Sequence, residues 1–243
     1  MRNTSFIFGV LLSLLSLLFI GLQTFGGEMT KSDSMRKENM NSKYRTATFA
    51  GGCFWCTESD FEKVDGVVEV ISGYTGGHKE NPTYEEVSAG GTGHVEAVQV
   101  IYDPKKVTYK DLLDFFWRHV DPTDPGGQFV DRGSQYKSVI FYHNDKQKLL
   151  AEESKMELES SGVFDKPIVT EIVKFTKFYK AEDYHQDYYK KNPLRYKFYR
   201  WNSGRDQFLK SVDWSKANNM NTTGMKKPDM KNHMKYSKPS EVF

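Results

Sequence analysis

The stretch Gly51-Gly52-Cys53-Phe54-Trp55-Cys56 constrains this chain more than any other, because two adjacent glycines stand between residues of strand character and residues of helical character. Arg45 to Ala50 alternates like a short strand, and Thr57 to Val64 carries polar and apolar residues at helical spacing. Glycines at such a junction supply the backbone freedom of a strand-to-helix turn. Cys53 is therefore predicted at the first turn of a helix, where unpaired N–H groups and the positive end of the helix dipole favour a thiolate. That makes it a candidate nucleophile. Cys56 lies three residues on, about 5 to 6 Å away on the same helix face, a separation that a disulfide accepts.

These are the two cysteines of a 243-residue chain. A structural disulfide closing a two-residue loop removes little chain entropy and stabilises little. A zinc or copper site would want further ligands nearby, and the six histidines are scattered singly. Redox chemistry or covalent catalysis is what remains.

Other blocks of the chain carry a resemblance. Gly-Cys-Phe-Trp is similar to the active-site signature of the peptide methionine sulfoxide reductase A family. Behind it, in the family's order, follow Gly73-Tyr74-Thr75-Gly76-Gly77, Asn81-Pro82-Thr83-Tyr84, Gly91-Thr92-Gly93-His94-Val95-Glu96-Ala97-Val98 and Tyr102-Asp103-Pro104. Phe116-Trp117, Asp121-Pro122-Thr123, Asp131-Arg132-Gly133-Ser134-Gln135-Tyr136, Ala181-Glu182-Asp183-Tyr184-His185-Gln186 and Asn192-Pro193 complete the series, from about Phe49 to Tyr196.

Sulfoxide reduction needs a reactive thiolate to attack sulfur, an acid still protonated near neutral pH, and apolar walls for the methyl end. The resemblance gives these roles to Cys53, to Glu96 and to the pair Phe54 and Trp55. It gives Tyr84 and Tyr136 the task of aiming phenols at the sulfoxide oxygen, and Asp131 that of ordering the pocket as a second carboxylate. His94, His119 and His185 are read as structural, since the reaction already has its acid.

The implied activity is thiol-dependent reduction of methionine S-sulfoxide, free and in proteins. The cofactor expectation is none beyond an external thiol such as thioredoxin, with no metal. Many family members carry a resolving cysteine beyond the Asn-Pro motif, but Leu194 to Phe243 contains none. Recycling then falls to Cys56 or to an outside thiol. Two other readings stay open: a thioredoxin-like dithiol oxidoreductase working on disulfides, for which no thioredoxin-type βαβ pattern is visible, and a copper-binding module using both thiols with Met220, Met225, Met230, Met234 and His233.

Four segments are expected. The run from Asn3 to Gly27 has no charge and a core of Leu, Phe, Ile and Val, the pattern of a signal peptide or signal anchor over 1–27. Thr24-Phe25-Gly26 leaves cleavage open. The domain is accordingly expected to be exported, periplasmic or extracytoplasmic, free or anchored by residues 3–27. Residues 28–43 read as a flexible polar linker, 44–201 as the catalytic domain, and 202–243 as a largely disordered, Met-containing extension.

Inside the domain, strands at Val67 to Tyr74, His94 to Tyr102, Lys137 to His143 and Ile168 to Phe175 interleave with helices at Thr83 to Ala89, Thr108 to Val120, Asp145 to Ser160 and Ala181 to Lys191, the last ended by Asn192-Pro193. Asp121 to Gly133, with two Asp-Pro pairs and three glycines, is expected as loop. Neither face of the strand His94 to Tyr102 is cleanly polar, which places Glu96 where water is partly excluded. The pattern is an α+β two-layer sandwich, for which the resemblance implies a ferredoxin-like core. A net charge of +2 with dispersed Lys and Arg gives no nucleic-acid stripe. The expected partners are oxidised methionine, free or in proteins, and a thioredoxin-like reductant, with the chain acting as a monomer.

Overall fold

The computed structural model describes residues 43–218. The expected leader, nearly all of the linker, and the segment with Met220 to Met234 lie outside the described residues. Among the described residues no helix is long and apolar enough to cross a membrane.

The scaffold is a six-stranded sheet with helices, an α+β fold. In chain order its strands are β1 (Arg45–Gly51), β2 (Val67–Thr75), β3 (Val95–Tyr102), β6 (Ser138–Tyr142), β7 (Glu171–Lys174) and β8 (Phe178–Lys180). They lie side by side as β7-β6-β1-β3-β2-β8. All neighbours are antiparallel except β6 and β7. Helix α1 (Phe54–Phe61) joins β1 to β2, α2 (Tyr84–Ser88) and the hairpin turn join β2 to β3, and α3 (Tyr109–Trp117) follows β3. The parallel pair needs a long crossover, and α4 (Asp145–Ser161) supplies it.

Alternation along the strands sorts side chains between two faces. Ala47, Phe49, Val70, Val98, Val100 and Ile140 point to the main core, where Phe61, Leu112, Leu113, Phe116 and Leu158 of the helices meet them. The rings of Phe49 and Phe61 stack at 5.0 Å, and Phe49 and Phe116 at 5.2 Å. The opposite face is also covered, by Ala50, Val95, Ala97, Val139 and Phe141 with Val173, Phe175 and Phe178 packed on them. Two covered faces explain why β3 lacks a polar side.

Local signals set the helix starts. The Thr108 and Asp111 side chains form a reciprocal capping box at α3, and Thr83 with Glu86 forms another at α2. Gly162, at φ 65°, closes α4 with a left-handed residue.

Three expectations change. The region Asp121 to Gly133 contains a small hairpin, β4 (Gly127–Gln128) with β5 (Asp131–Arg132), whose two-residue strands are too short to show a period. Ala181 to Lys191 is not one helix: turns lead to Asp187, which sits at φ 54°, and only α5 (Tyr188–Lys191) is helical. Pro193 then opens a helix instead of ending one. At the N1 position its missing N–H would have had no partner anyway, and α6 (Pro193–Asn202) runs on from it. Helices α7 (Arg205–Ser211) and α8 (Ser215–Asn218) follow.

Candidate active site

The site forms where β1 becomes α1. Gly52 turns the chain at φ +82°, and a Cβ there would lie 2.6 Å from the Gln128 Cβ, so the position requires glycine. Gln128, wholly buried, is fixed by giving its Nε2 to the Asp121 and Gly127 carbonyls and accepting from the Asp121 N–H. The hairpin that reads as loop in the sequence is thus the floor of the turn. Cys53 is the N-cap residue of α1, and its carbonyl accepts from the Cys56 and Thr57 N–H groups at 3.2 Å.

The first amide of the helix goes to a carboxyl. The Phe54 N–H donates to Glu96 Oε2 at 2.9 Å, reaching from the helix end to the facing end of β3. Glu96 is 3% exposed. Burial pushes its carboxyl up to about 8, against the pull of the Phe54 N–H, with the charges of Asp131 and Cys56 adding to the rise. At neutral pH it holds a proton next to the nucleophile.

Cys53, 6% exposed, and Cys56, fully buried, are both free thiols. The expected thiolate on Cys53 itself does not appear: burial and the hydrogen bond to Cys56 push the Cys53 thiol well up. Cys56 is brought down to about 7 by that hydrogen bond, against burial, and then by the charges of Arg205 and Arg200. Desolvation is the largest cause of the rise at Cys53. The pair loses its first proton near neutrality and keeps the second between two sulfurs.

Aromatic side chains wall this pair. The Phe54 ring is fully buried against Tyr74 and His185, with centroids 5.9 and 5.0 Å away. Trp55, half-buried, stacks flat on Tyr188 at 3.7 Å and gives its Nε1–H to His185 Nδ1 at 3.0 Å. Tyr84 packs its ring 4.4 Å from that of His185. Burial, then the charges of Glu96 and Cys53, raises the Tyr84 phenol to about 12, and burial followed by Glu96, Tyr84 and Asp131 raises Tyr136 also. Both are phenols held as donors. Asp131 accepts from the Tyr199 hydroxyl, and burial raises its carboxyl despite that bond and the Arg205 charge.

For several participants the sequence assigns no chemical role. Glu182 accepts from the Tyr74 hydroxyl at 2.8 Å and from the Tyr84 N–H at 2.9 Å, tying α2 to the sheet. His185 is a ring among Phe54, Trp55, Tyr84 and Tyr184, and burial lowers its imidazole below the usual range. Beneath Cys56, Arg200 donates to Asp60 at 2.7 Å, to Asp206 at 3.0 Å and to the Tyr196 hydroxyl. Although burial works the other way, Arg200 and its neighbours hold the Asp60 carboxyl down to about 2. Glu182 lies 98 and 108 positions from Tyr84 and Tyr74, His185 lies 130 from Trp55, and Arg200 lies 140 from Asp60, all beyond any periodicity.

A buried cysteine at a helix start, a second thiol hydrogen-bonded to it and a protonated buried carboxyl are the parts of a thiol oxidoreductase on an α+β scaffold. The chain belongs to the peptide methionine sulfoxide reductase family, whose model matches residues 45–217. It is 58% identical over 175 residues to the peptide methionine sulfoxide reductase MsrA of Bacillus subtilis, covering 72% of this chain and 98% of that one. It is 54% identical over 199 residues to the MsrA/MsrB protein of Vibrio cholerae, 82% of this chain, and spans 52% of that longer protein. Mxr1 of Saccharomyces cerevisiae in reduced form superposes with TM-score 0.60 at 37% identity, over 63% of this chain and 88% of that one. Methionine sulfoxide reductase A of Corynebacterium diphtheriae does so at 0.56 and 35%, over 63% and 76%.

Proposed function

We propose that this protein reduces methionine S-sulfoxide, free and in proteins, to methionine at the expense of an external dithiol, repairing oxidative damage. The observation that carries the reading is Glu96: a buried carboxyl bonded to the amide that follows Cys53.

Cys53 passes its proton to Cys56 along their hydrogen bond and attacks the sulfoxide sulfur. Glu96 donates its proton to the oxygen, which Tyr84 and Tyr136 hold by their hydroxyls, while Trp55 receives the methyl end. The attack forms a sulfur–sulfur bond, and the protonated oxygen then passes to the Cys53 sulfur as both the S–O bond and that sulfur–sulfur bond break, so methionine leaves and Cys53 carries the oxygen as sulfenic acid. Cys56 then condenses with it, forming the Cys53–Cys56 disulfide and water. A thioredoxin-like donor takes the two electrons' worth of oxidation by exchange, restoring both thiols. No prosthetic group enters these steps.

Turnover of each epimer with dithiothreitol and with thioredoxin tests the proposal. The S-sulfoxide is consumed with either donor and the R-sulfoxide with neither; consumption of both epimers, or of neither, contradicts it. Export rests on the charge-free run from Asn3 to Gly27, and recovery of the protein wholly in the cytosol with Met1 retained would contradict it.

A further inference from the structure

Arg205 stands outside every motif discussed above, yet its side chain is among the most deeply buried in the protein, at 1% exposure. It comes from the start of α7, after Ser203-Gly204, and passes under the nucleophile turn. Nη2 donates to the Gly51 carbonyl at 2.7 Å and Nη1 to the His119 carbonyl at 2.7 Å. Its guanidinium lies over the Phe129 ring at 4.6 Å, and Nη2 is 3.1 Å from where a Gly52 Cβ would sit.

What these partners lack is charge. Among the described residues Arg205 makes no ion pair, whereas its neighbour Arg200 is neutralised by both Asp60 and Asp206. A buried cation bonded only to neutral carbonyls is costly unless an anion stands near. The groups that face this space are Cys53, Cys56 and Asp60 from the turn and α1, Glu96 from β3, and Tyr84 and Tyr136 from α2 and the 3-10 helix Ser134–Tyr136. Asp131 comes from β5, Tyr196, Tyr199 and Arg200 from α6, and His119 lies after α3. Of these, Asp60 already belongs to Arg200, Glu96 keeps its proton at neutral pH, and Asp131 accepts from the Tyr199 hydroxyl. Asp131 and the cysteine pair, which follows directly on the turn that Arg205 holds through the Gly51 carbonyl, are the anions left to balance Arg205.

We propose that Arg205 is a positioning residue of this reductase: it fixes the Gly51-Gly52 turn through the Gly51 carbonyl and supplies the unpaired positive charge against which the Cys53–Cys56 pair ionises. It deepens the function proposed above by adding a residue from beyond the Asn-Pro motif to the nucleophile's machinery. The Arg205 field lowers Cys56 and Asp131 alike, in accord with that geometry.

The two cysteines are the whole thiol content of the chain, so thiolate absorbance near 240 nm, titrated on the full protein without substrate, reports on this pair alone. That readout is independent of whether the substrate is a sulfoxide, and it fails separately from the functional proposal. Arg205→Met should move the thiolate midpoint up by ~1 unit or more, the scale on which a nearby opposite charge acts, and move the pH profile of the first turnover with it. Arg205→Lys keeps a charge and one donor, and should titrate within ~0.3 unit of wild type. A Met variant that titrates like wild type, or a Lys variant that shifts as far as the Met variant, overturns the proposal. Should Arg205→Met not fold, Arg205→Gln provides the test, because it keeps donors for the Gly51 and His119 carbonyls without the charge. Its thiolate midpoint should rise as expected of the Met variant, and a midpoint like that of the wild type overturns the proposal.

Discussion

The two sides of the Cys53 turn are built in different ways. On one side Glu96, Phe54 and the β3 end are brought together by strand register: Tyr74 pairs with Glu96 across β2 and β3, and Phe49 with Val98 across β1 and β3. The acid is held by the sheet. On the other side Cys56 faces Tyr188, Tyr196 and Tyr199 with Arg200 and Arg205 close by, all from the end of the described chain. Under the proposed mechanism, the difference teaches that proton donation rests on the scaffold, while thiol ionisation and recycling depend on helices folded back over it.

Removing the nucleophile should have the largest effect on this comparison. Cys53→Ser is expected to abolish methionine formation even in a single turnover, measured with S-sulfoxide and excess dithiothreitol.

Glu96→Gln keeps a hydrogen-bonding side chain without the proton, and a loss of about 10²-fold or more in the rate of the first turnover is expected, the scale of general-acid loss. In the wild type the acid is lost as pH rises through about 8, while the thiol pair gains its charge through about 7. The first-turnover rate should therefore rise and then fall across that interval, and the falling limb should vanish in Glu96→Gln. In Glu96→Gln, stability moves oppositely to activity. The folded state binds the Glu96 proton more tightly than the unfolded chain, so its contribution is full below the ordinary carboxyl range and is lost as pH rises through about 8. Glu96→Gln cannot ionise, and its Tm should exceed that of the wild type at pH 9 and converge with it near pH 4.

The acid side was the more legible in sequence. Cys53, the Gly-Gly turn and the strand carrying Glu96 follow from local spacing, and the capping box of Thr108 with Asp111 marks a helix correctly because its bonds are three residues apart. The far side was not legible for the same reason. Arg205 meets Gly51 across 154 positions and Tyr199 meets Asp131 across 68, and a buried arginine looks in sequence like a solvated one. Cys56 shows both limits: its spacing from Cys53 was plain, but its depressed ionisation comes from charges that spacing does not reveal.

A smaller effect probes the far side through stability. Asp60 is held at about 2 in the fold, so the stability it contributes is present above the ordinary aspartate range and lost as pH falls through about 2. Asp60→Asn removes that term and leaves Arg200 with Asp206, a cost of about 1–3 kcal/mol by the usual range for a charged partner lost from a buried bond. Urea unfolding at pH 7 and pH 3 should show the gap between variant and wild type shrinking at the lower pH.

The direct measurement is a reductant-free reaction of fully reduced protein with S-sulfoxide, scoring methionine released, thiols lost and the species on Cys53 by mass spectrometry. The wild type should release one equivalent of methionine, lose both thiols and carry a Cys53–Cys56 disulfide. Cys56→Ser should also release one equivalent but stop with a dimedone-reactive sulfenic acid on Cys53, and with thioredoxin as donor it should not turn over further. Methionine release without loss of the Cys53 thiol, or full thioredoxin-driven turnover by Cys56→Ser, would contradict the account.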